Sequence, residues 1–258
     1  LPRLLLALTA VAALTAASCS SGNDDGPEVT VGEVEEATVG DLDAVIRPAA
    51  RQLLDAPGLR VTAAYFSFDN PEQVARFDWL EYRAGGDYLV VYSELEPRRS
   101  EAFIQVGNDF YSSEITPQNG RPWSEPGPPP GTPEEIIPAL AVLTAMAEQS
   151  TTLRVDDSDR AREVTRQQDS EGNTLWTLNN PGIDPDVVTN AAQWFINADG
   201  ILQFYRVGSE VTPIDGSSGI VYEYAIIADL DRLEPPVPGT SLDLEAIGVP
   251  EELRGIEE

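Results

Sequence analysis

Apolar residues along this chain recur with two periods, one near 3.6 and one of two, and the switches between them mark its elements. From Asp41 onward, Leu42, Val45, Ile46, Ala49, Leu53 and Leu54 fall at helical spacing until Pro57-Gly58 ends the run. That pattern predicts a helix, which Pro48 should kink or force to begin late. Strands are predicted next over 59–68, 75–83, 88–95, 102–107 and 110–115, with Gly85-Gly86-Asp87 and Gly107-Asn108-Asp109 as hairpin turns. In Tyr88-Leu89-Val90-Val91-Tyr92 neither alternate set is polar. An antiparallel sheet with one wet face should alternate, so something apolar is expected against each side of this one.

The proline-rich stretch 116–131 should be extended. It leads into a predicted helix over 132–148, with Thr132 as cap, Pro133 at the first position and Glu135 completing a capping box. This helix carries Ile136, Ile137, Leu140, Leu143 and Met146 and no charge between Glu135 and Glu148. It should be buried or face a ligand. A second set of strands is predicted over 153–155, 161–168, 174–179, 193–197, 201–207 and 220–229, with a short helix over 183–192. Ser170-Glu171-Gly172-Asn173 and Asp199-Gly200 read as turns. The remainder is acidic, punctuated by proline, and should wrap the surface.

At the other end of the chain, Arg3 precedes an apolar run from Leu4 to Ala17, and Leu14-Thr15-Ala16-Ala17-Ser18-Cys19 closes it. This reads as a secretory signal over 1–18. Its cleavage site resembles a lipobox, which implies a lipid on the Cys19 thiol and a mature chain that starts there. The run falls short of the ~20 residues that span a bilayer. Residues 19–40 are acidic and contain glycine, and read as a disordered tether reaching roughly 25 Å.

Composition narrows the chemistry. The formal charge is −28, from 44 acidic residues and 16 basic ones, all arginine, and there is no histidine. Nucleic acid and anionic headgroups should be repelled. Attachment to a membrane must then come from acyl chains. An acidic, lysine-free surface suits export into high salt; arginine-for-lysine codon bias accounts for the same composition. With Cys19 acylated no thiol remains, which excludes disulfides and thiolate metal sites. Hydrolase triads built on histidine are excluded too. A pair of catalytic carboxylates or an oxygen-ligand Ca²⁺ site survives, at Asp156-Asp157-Ser158-Asp159 or Asp184-Pro185-Asp186 for calcium, but neither has EF-hand spacing. No metal, cofactor or enzymatic role is expected.

The order of lipidated cysteine, acidic tether, helix, strands, proline-rich crossover, apolar helix and further strands carries a resemblance. So do GNDFYSSEI before RPW, AREVTRQQD, LWTLNN, WFINADGILQFYRV and YEYAIIADLDRLEPPVP. Together they resemble the LolA/LolB and LppX/LprG superfamily of envelope lipoproteins over roughly 41–238, with 239–258 as an acidic C-terminal extension. The resemblance implies an α+β fold, a strongly bent antiparallel sheet forming an incomplete β-barrel with helices over its concave side. It also implies binding, and transfer, of lipid or lipoprotein acyl chains without catalysis, on the outer face of the cytoplasmic membrane, with an envelope protein as partner. The residues alone leave two alternatives for the interior, a lipid-sized cavity or a packed core serving an interaction module. The candidate ligand-lining residues are Tyr65, Phe66, Trp79, Val91, Trp123, Ile137, Leu140, Leu143 and Met146.

Overall fold

The computed structural model of the chain describes residues 33–66, 74–95, 98–116, 120–148, 163–180, 189–210, 219–228, 230 and 232–251. Cys19 and both aspartate clusters lie outside them, as do the predicted strand over 153–155 and the start of the predicted helix over 183–192.

The strands are β1 (Glu35–Ala37), β2 (Gly58–Phe66), β3 (Val74–Arg83), β4 (Tyr88–Leu95), β5 (Arg98–Val106), β6 (Asp109–Ile115) and β7 (Gly120–Arg121), then β8 (Glu163–Gln168), β9 (Thr174–Asn180), β10 (Thr189–Ile196), β11 (Leu202–Glu210) and β12 (Gly219–Ile226). They form one twelve-stranded sheet in the order β1-β8-β9-β10-β11-β12-β2-β3-β4-β5-β6-β7. Every neighbouring pair is antiparallel. The sheet is open, because β1 and β7 are its two edges. The first and second sets of hairpins meet where β12 pairs with β2, from Ile220 against Tyr65 to Ile226 against Leu59. Gly58 at that seam is required, since a Cβ there would lie 2.6 Å from the Ile227 carbonyl oxygen.

Helix α1 spans Val39–Leu54 and begins earlier than the apolar spacing indicated. Its start is set by a capping box: Asp41 N donates to Thr38 Oγ1 at 3.2 Å, and Thr38 N donates to Asp41 Oδ2 at 3.0 Å. Such caps contribute about 1 kcal/mol. The helix continues past the exposed Pro48 as one element. Leu42 and Ile46 before it, and Ala49, Ala50 and Leu53 after it, are buried in the same cluster, which offsets the missing hydrogen bond.

The helix expected over 132–148 is in fact two. α2 covers Pro133–Ile136 and α3 covers Pro138–Glu148. Between them Ile137 is extended at φ −114°, ψ 101°, as the residue before a proline prefers. The end of the predicted helix, 189–192, is corrected by β10, whose residues pair in register with both β9 and β11. Two-sided pairing overrode the local helix signal. β1 likewise takes Glu35–Ala37 out of the stretch read as tether and pairs it with β8.

Each side of the sheet has its own buried cluster. On one side, α1 and α3 pack against alternate residues of most strands, among them Leu59, Val61, Leu80, Val90, Leu178 and Trp194. On the other, Trp79, Leu89, Val91, Ala102, Ile104 and Tyr111 of β3–β6 are covered by Trp123 and by Leu233, Leu242, Leu244 and Val249. The C-terminal stretch is therefore part of the folded body as far as Val249. It is tied down by Trp123 N donating to the Thr240 carbonyl and Gly239 N donating to the Trp123 carbonyl, both at 2.9 Å.

Candidate functional site: the helix-side face of the sheet

Directly paired residues in adjacent strands point to the same side of a sheet. One row traced through the pairings crosses all twelve strands on the helix side. It starts at Glu35 on β1 and Arg166 on β8, then passes through Trp176, Trp194, Tyr205 and Tyr222. It continues through Ala63, Asp78 and Tyr92 and ends at Glu101, Glu114 and Arg121. The β8–β12 half of this row is aromatic. Ring centroids lie 5.3 Å apart for Trp194 and Tyr205 and 5.9 Å apart for Tyr205 and Tyr222, and contacts of this kind contribute about 0.5–1.5 kcal/mol each. Arg166 lies over the Trp176 ring at 5.7 Å.

The β3–β7 half is ionic. Arg76 Nε donates to Asp78 Oδ1 at 2.6 Å and Arg76 Nη2 donates to Asp78 Oδ2 at 3.1 Å. Tyr65 OH donates to Asp78 Oδ2 at 2.8 Å. The Arg76 guanidinium is sandwiched between Tyr65 and Tyr92, 5.0 and 4.7 Å from their ring centroids. Burial raises the Asp78 carboxyl above its ordinary range, against the pull of Arg76 and of the Tyr65 hydroxyl toward the ionised form. Burial also raises Tyr65 and Tyr92. Nearer β7, Arg99 pairs with Glu101 and, at 2.7 Å, with Glu114. Tyr92 OH donates to the Ile136 carbonyl at 3.0 Å, which anchors the α2–α3 junction to this row.

The rows on either side of it are more apolar. Val164, Leu178, Ala192, Val207 and Ile220 pair in sequence beside the aromatic half. Val61, Leu80, Val90 and Phe103 do so on the other side. Within this apolar surround several polar atoms are buried without a partner among the described residues, including Trp176 Nε1, Trp194 Nε1, Tyr88 OH and Tyr224 OH. Burial pushes the Tyr88 hydroxyl up to about 12 and Tyr224 well above its ordinary value. A buried polar atom left unpartnered costs roughly 1–3 kcal/mol.

The residues expected to line a ligand site do not form one set. Ile137, Leu140, Leu143 and Met146 lie in the helix-side cluster, and Tyr65 packs against it. Trp79, Val91 and Trp123 lie in the opposite cluster, across the sheet from α3. Phe66 follows a register shift at the end of β2 and belongs to neither. The row of Trp176, Trp194, Tyr205, Tyr222 and Asp78, with Arg76 beside it, escaped the sequence reading. Its signal was present as aromatic residues two apart, as in Tyr222 and Tyr224, but only strand register joins them into a row. Among the described residues no group of three or more His, Cys, Asp or Glu converges to hold a metal ion.

No family model matches this sequence, and no curated protein matches it significantly. Among solved structures the chain is similar to one described as a LolA superfamily protein from Nitrosomonas europaea. The identity is 15%, over 73% of this chain and 94% of that one, with a TM-score of 0.26. A likeness that slight carries no argument about fold or function. Among the described residues no helix is long and apolar enough to cross a membrane.

Proposed function

We propose that this protein is a lipoprotein of the cell envelope that binds an acyl chain between its open sheet and helices α1 and α3, and shields it or passes it on. Cys19 carries the lipid anchor, and the acidic stretch after it gives the body its reach from the membrane. No catalysis is involved. The observation that carries this reading is the helix-side face, where an aromatic and apolar surface contains buried polar atoms that none of the described residues satisfies. A lipid meets both needs, since each buried CH₂ of its chain contributes about 0.8 kcal/mol and its linkage or headgroup supplies polar partners. An all-hydrocarbon guest meets only the first.

Native mass spectrometry of the full chain, purified from its own membrane, tests the proposal. The expected spectrum contains a species heavier than the acylated protein by one discrete lipid mass that dissociates on activation. A spectrum of unloaded protein alone, with no uptake from added lipid, would leave a tethered interaction module with a filled interior as the better account.

A further inference from the structure

On the face away from the helices, two rows of paired residues cross β9, β10, β11, β12 and β2. One runs through Leu175, Phe195, Phe204, Glu223 and Thr62. The other runs from Thr177 through Gln193 to Arg206, which faces Val221, and ends at Ala64. In a chain of charge −28, these two rows carry one arginine and one glutamate and so have no net charge. The C-terminal segment covers β3–β6, and Phe195, Phe204 and Val221 belong to neither buried cluster. All three are half-buried, and the Phe195 and Phe204 rings stack with centroids 5.2 Å apart. Arg206 and Glu223 are diagonal neighbours here. They form no ion pair with each other, and neither has a hydrogen-bond or ion-pair partner among the described residues. Burial raises the Glu223 carboxyl above its ordinary value, and nothing in the described protomer offsets that cost. An unpaired charge of each sign, side by side on one face, suits a two-fold contact, in which each residue meets the other's counterpart.

We infer that this face joins two copies of the chain in a symmetric dimer, with Arg206 of each copy pairing with Glu223 of the other. The two-fold axis lies in the face, along the Phe204–Val221 diagonal. Phe204 then packs on its own counterpart, as does Val221, between the two ion pairs. The axis is oblique to the strands, so the two sheets cross steeply, one of the two ordinary ways in which sheets pack. Charge selects the occupant. Two bodies of −28 repel across an acidic surface and can meet only through a patch where the excess is absent. A cationic partner, by contrast, gains nothing from choosing a neutral patch. Salt shortens the reach of the remaining repulsion to about 3 Å at 1 M, so this contact strengthens as ionic strength rises. The helix side of the sheet stays uncovered in the dimer.

Sedimentation equilibrium of the full chain in density-matched detergent tests the inference. The mass should rise to twice that of the protomer with protein concentration, and should do so at lower concentration in high salt than in low. Arg206→Glu or Glu223→Arg alone sets like charges opposite each other twice and should weaken the dimer roughly tenfold or more. The double variant Arg206→Glu/Glu223→Arg restores opposite pairs and should recover it, with urea titration showing that each variant is folded. A protomer mass for the unaltered chain at every concentration and salt, a measurement that needs no variant, overturns the inference. A dimer that tolerates either single reversal, or that the folded double variant fails to recover, overturns this face as the interface. A complex with a different co-purifying protein in place of the second copy overturns the choice of occupant.

Discussion

The two faces of the sheet at β3–β6 are made from alternate residues of the same strands, yet they are completed differently. On one face Leu89, Val91, Ala102 and Ile104 meet the chain's own C-terminal segment, and Leu244 and Val249 are fully buried there. On the other, helices meet a face where an Arg76–Asp78 pair lies among aromatic rings and where polar atoms of Tyr88, Tyr224, Trp176 and Trp194 lack partners among the described residues. Trp79 Nε1 is a comparable orphan on the first face. There Arg60, paired with Glu81 at 2.6 Å, lies over the Trp79 ring at 5.8 Å, so the two faces differ chiefly in what covers them. A side closed by the protein's own aliphatic residues serves stability. A side that buries donors and leaves them unsatisfied forgoes stability, and on the proposed function a guest that supplies acceptors would recover it.

The largest expected effect comes from removing the cover. A chain ending at Arg232 loses Leu233, Leu242, Leu244 and Val249, all buried. At roughly 1.5–3 kcal/mol for each side chain, the loss rivals the total stability of a domain. No cooperative denaturant transition is expected, and strong binding of a hydrophobic dye should accompany its loss. An unchanged transition midpoint would mean that the opposite face does not depend on this segment.

A smaller effect tests the helix side through two tyrosines on β4. Tyr92→Phe deletes a hydroxyl that donates to the Ile136 carbonyl and should cost about 1 kcal/mol. Tyr88→Phe deletes one with no partner among the described residues and should cost nothing, or stabilise lipid-free protein, in the same urea titration. Equal losses in the two variants would show that the Tyr88 hydroxyl is satisfied, and the contrast between the faces would weaken.

The smallest effect concerns Glu223, on the face away from the helices between Phe204 and Thr62. Burial raises its carboxyl above the ordinary value, so the folded state binds this proton more tightly than the unfolded chain does. Its contribution to stability is then greatest below the carboxylate range and falls as pH rises through the raised value. Glu223→Gln should stabilise by about 0.5 kcal/mol at neutral pH, with the gain shrinking as pH drops toward that range. Thermal melts of both proteins across acid pH give the sign, and a gain that grows toward low pH would contradict it.

Much of this was legible in the residues. The glycine turns at Gly85-Gly86 and Gly107 bracket β4 and β5 within a few residues of their observed ends, because each adopts positive φ, which suits glycine. The two-sided apolarity of 88–92 correctly announced packing on both faces, with Tyr88 and Val90 buried on one and Leu89 and Val91 on the other. The candidate site was half legible. Leu140 and Met146 followed from an uncharged helix, but Trp79 and Trp123 were assigned to its side although they pack on the other. Alternation sorts residues into two sets without saying which partner covers which set.

Local chemistry within the sequence thus determined where most strands begin and turn, and that α1 and most of the 132–148 region are helical. Those properties depend on dihedral preference, spacing and the functional groups present, all of which act over a few residues or none. Tertiary structure decided that 189–196 is a strand, that the C-terminal stretch closes one face, and that Trp176, Trp194, Tyr205, Tyr222 and Asp78 share one row. Each of these depends on strand register and on contacts between residues far apart in the chain, where pairing energy outweighs local preference.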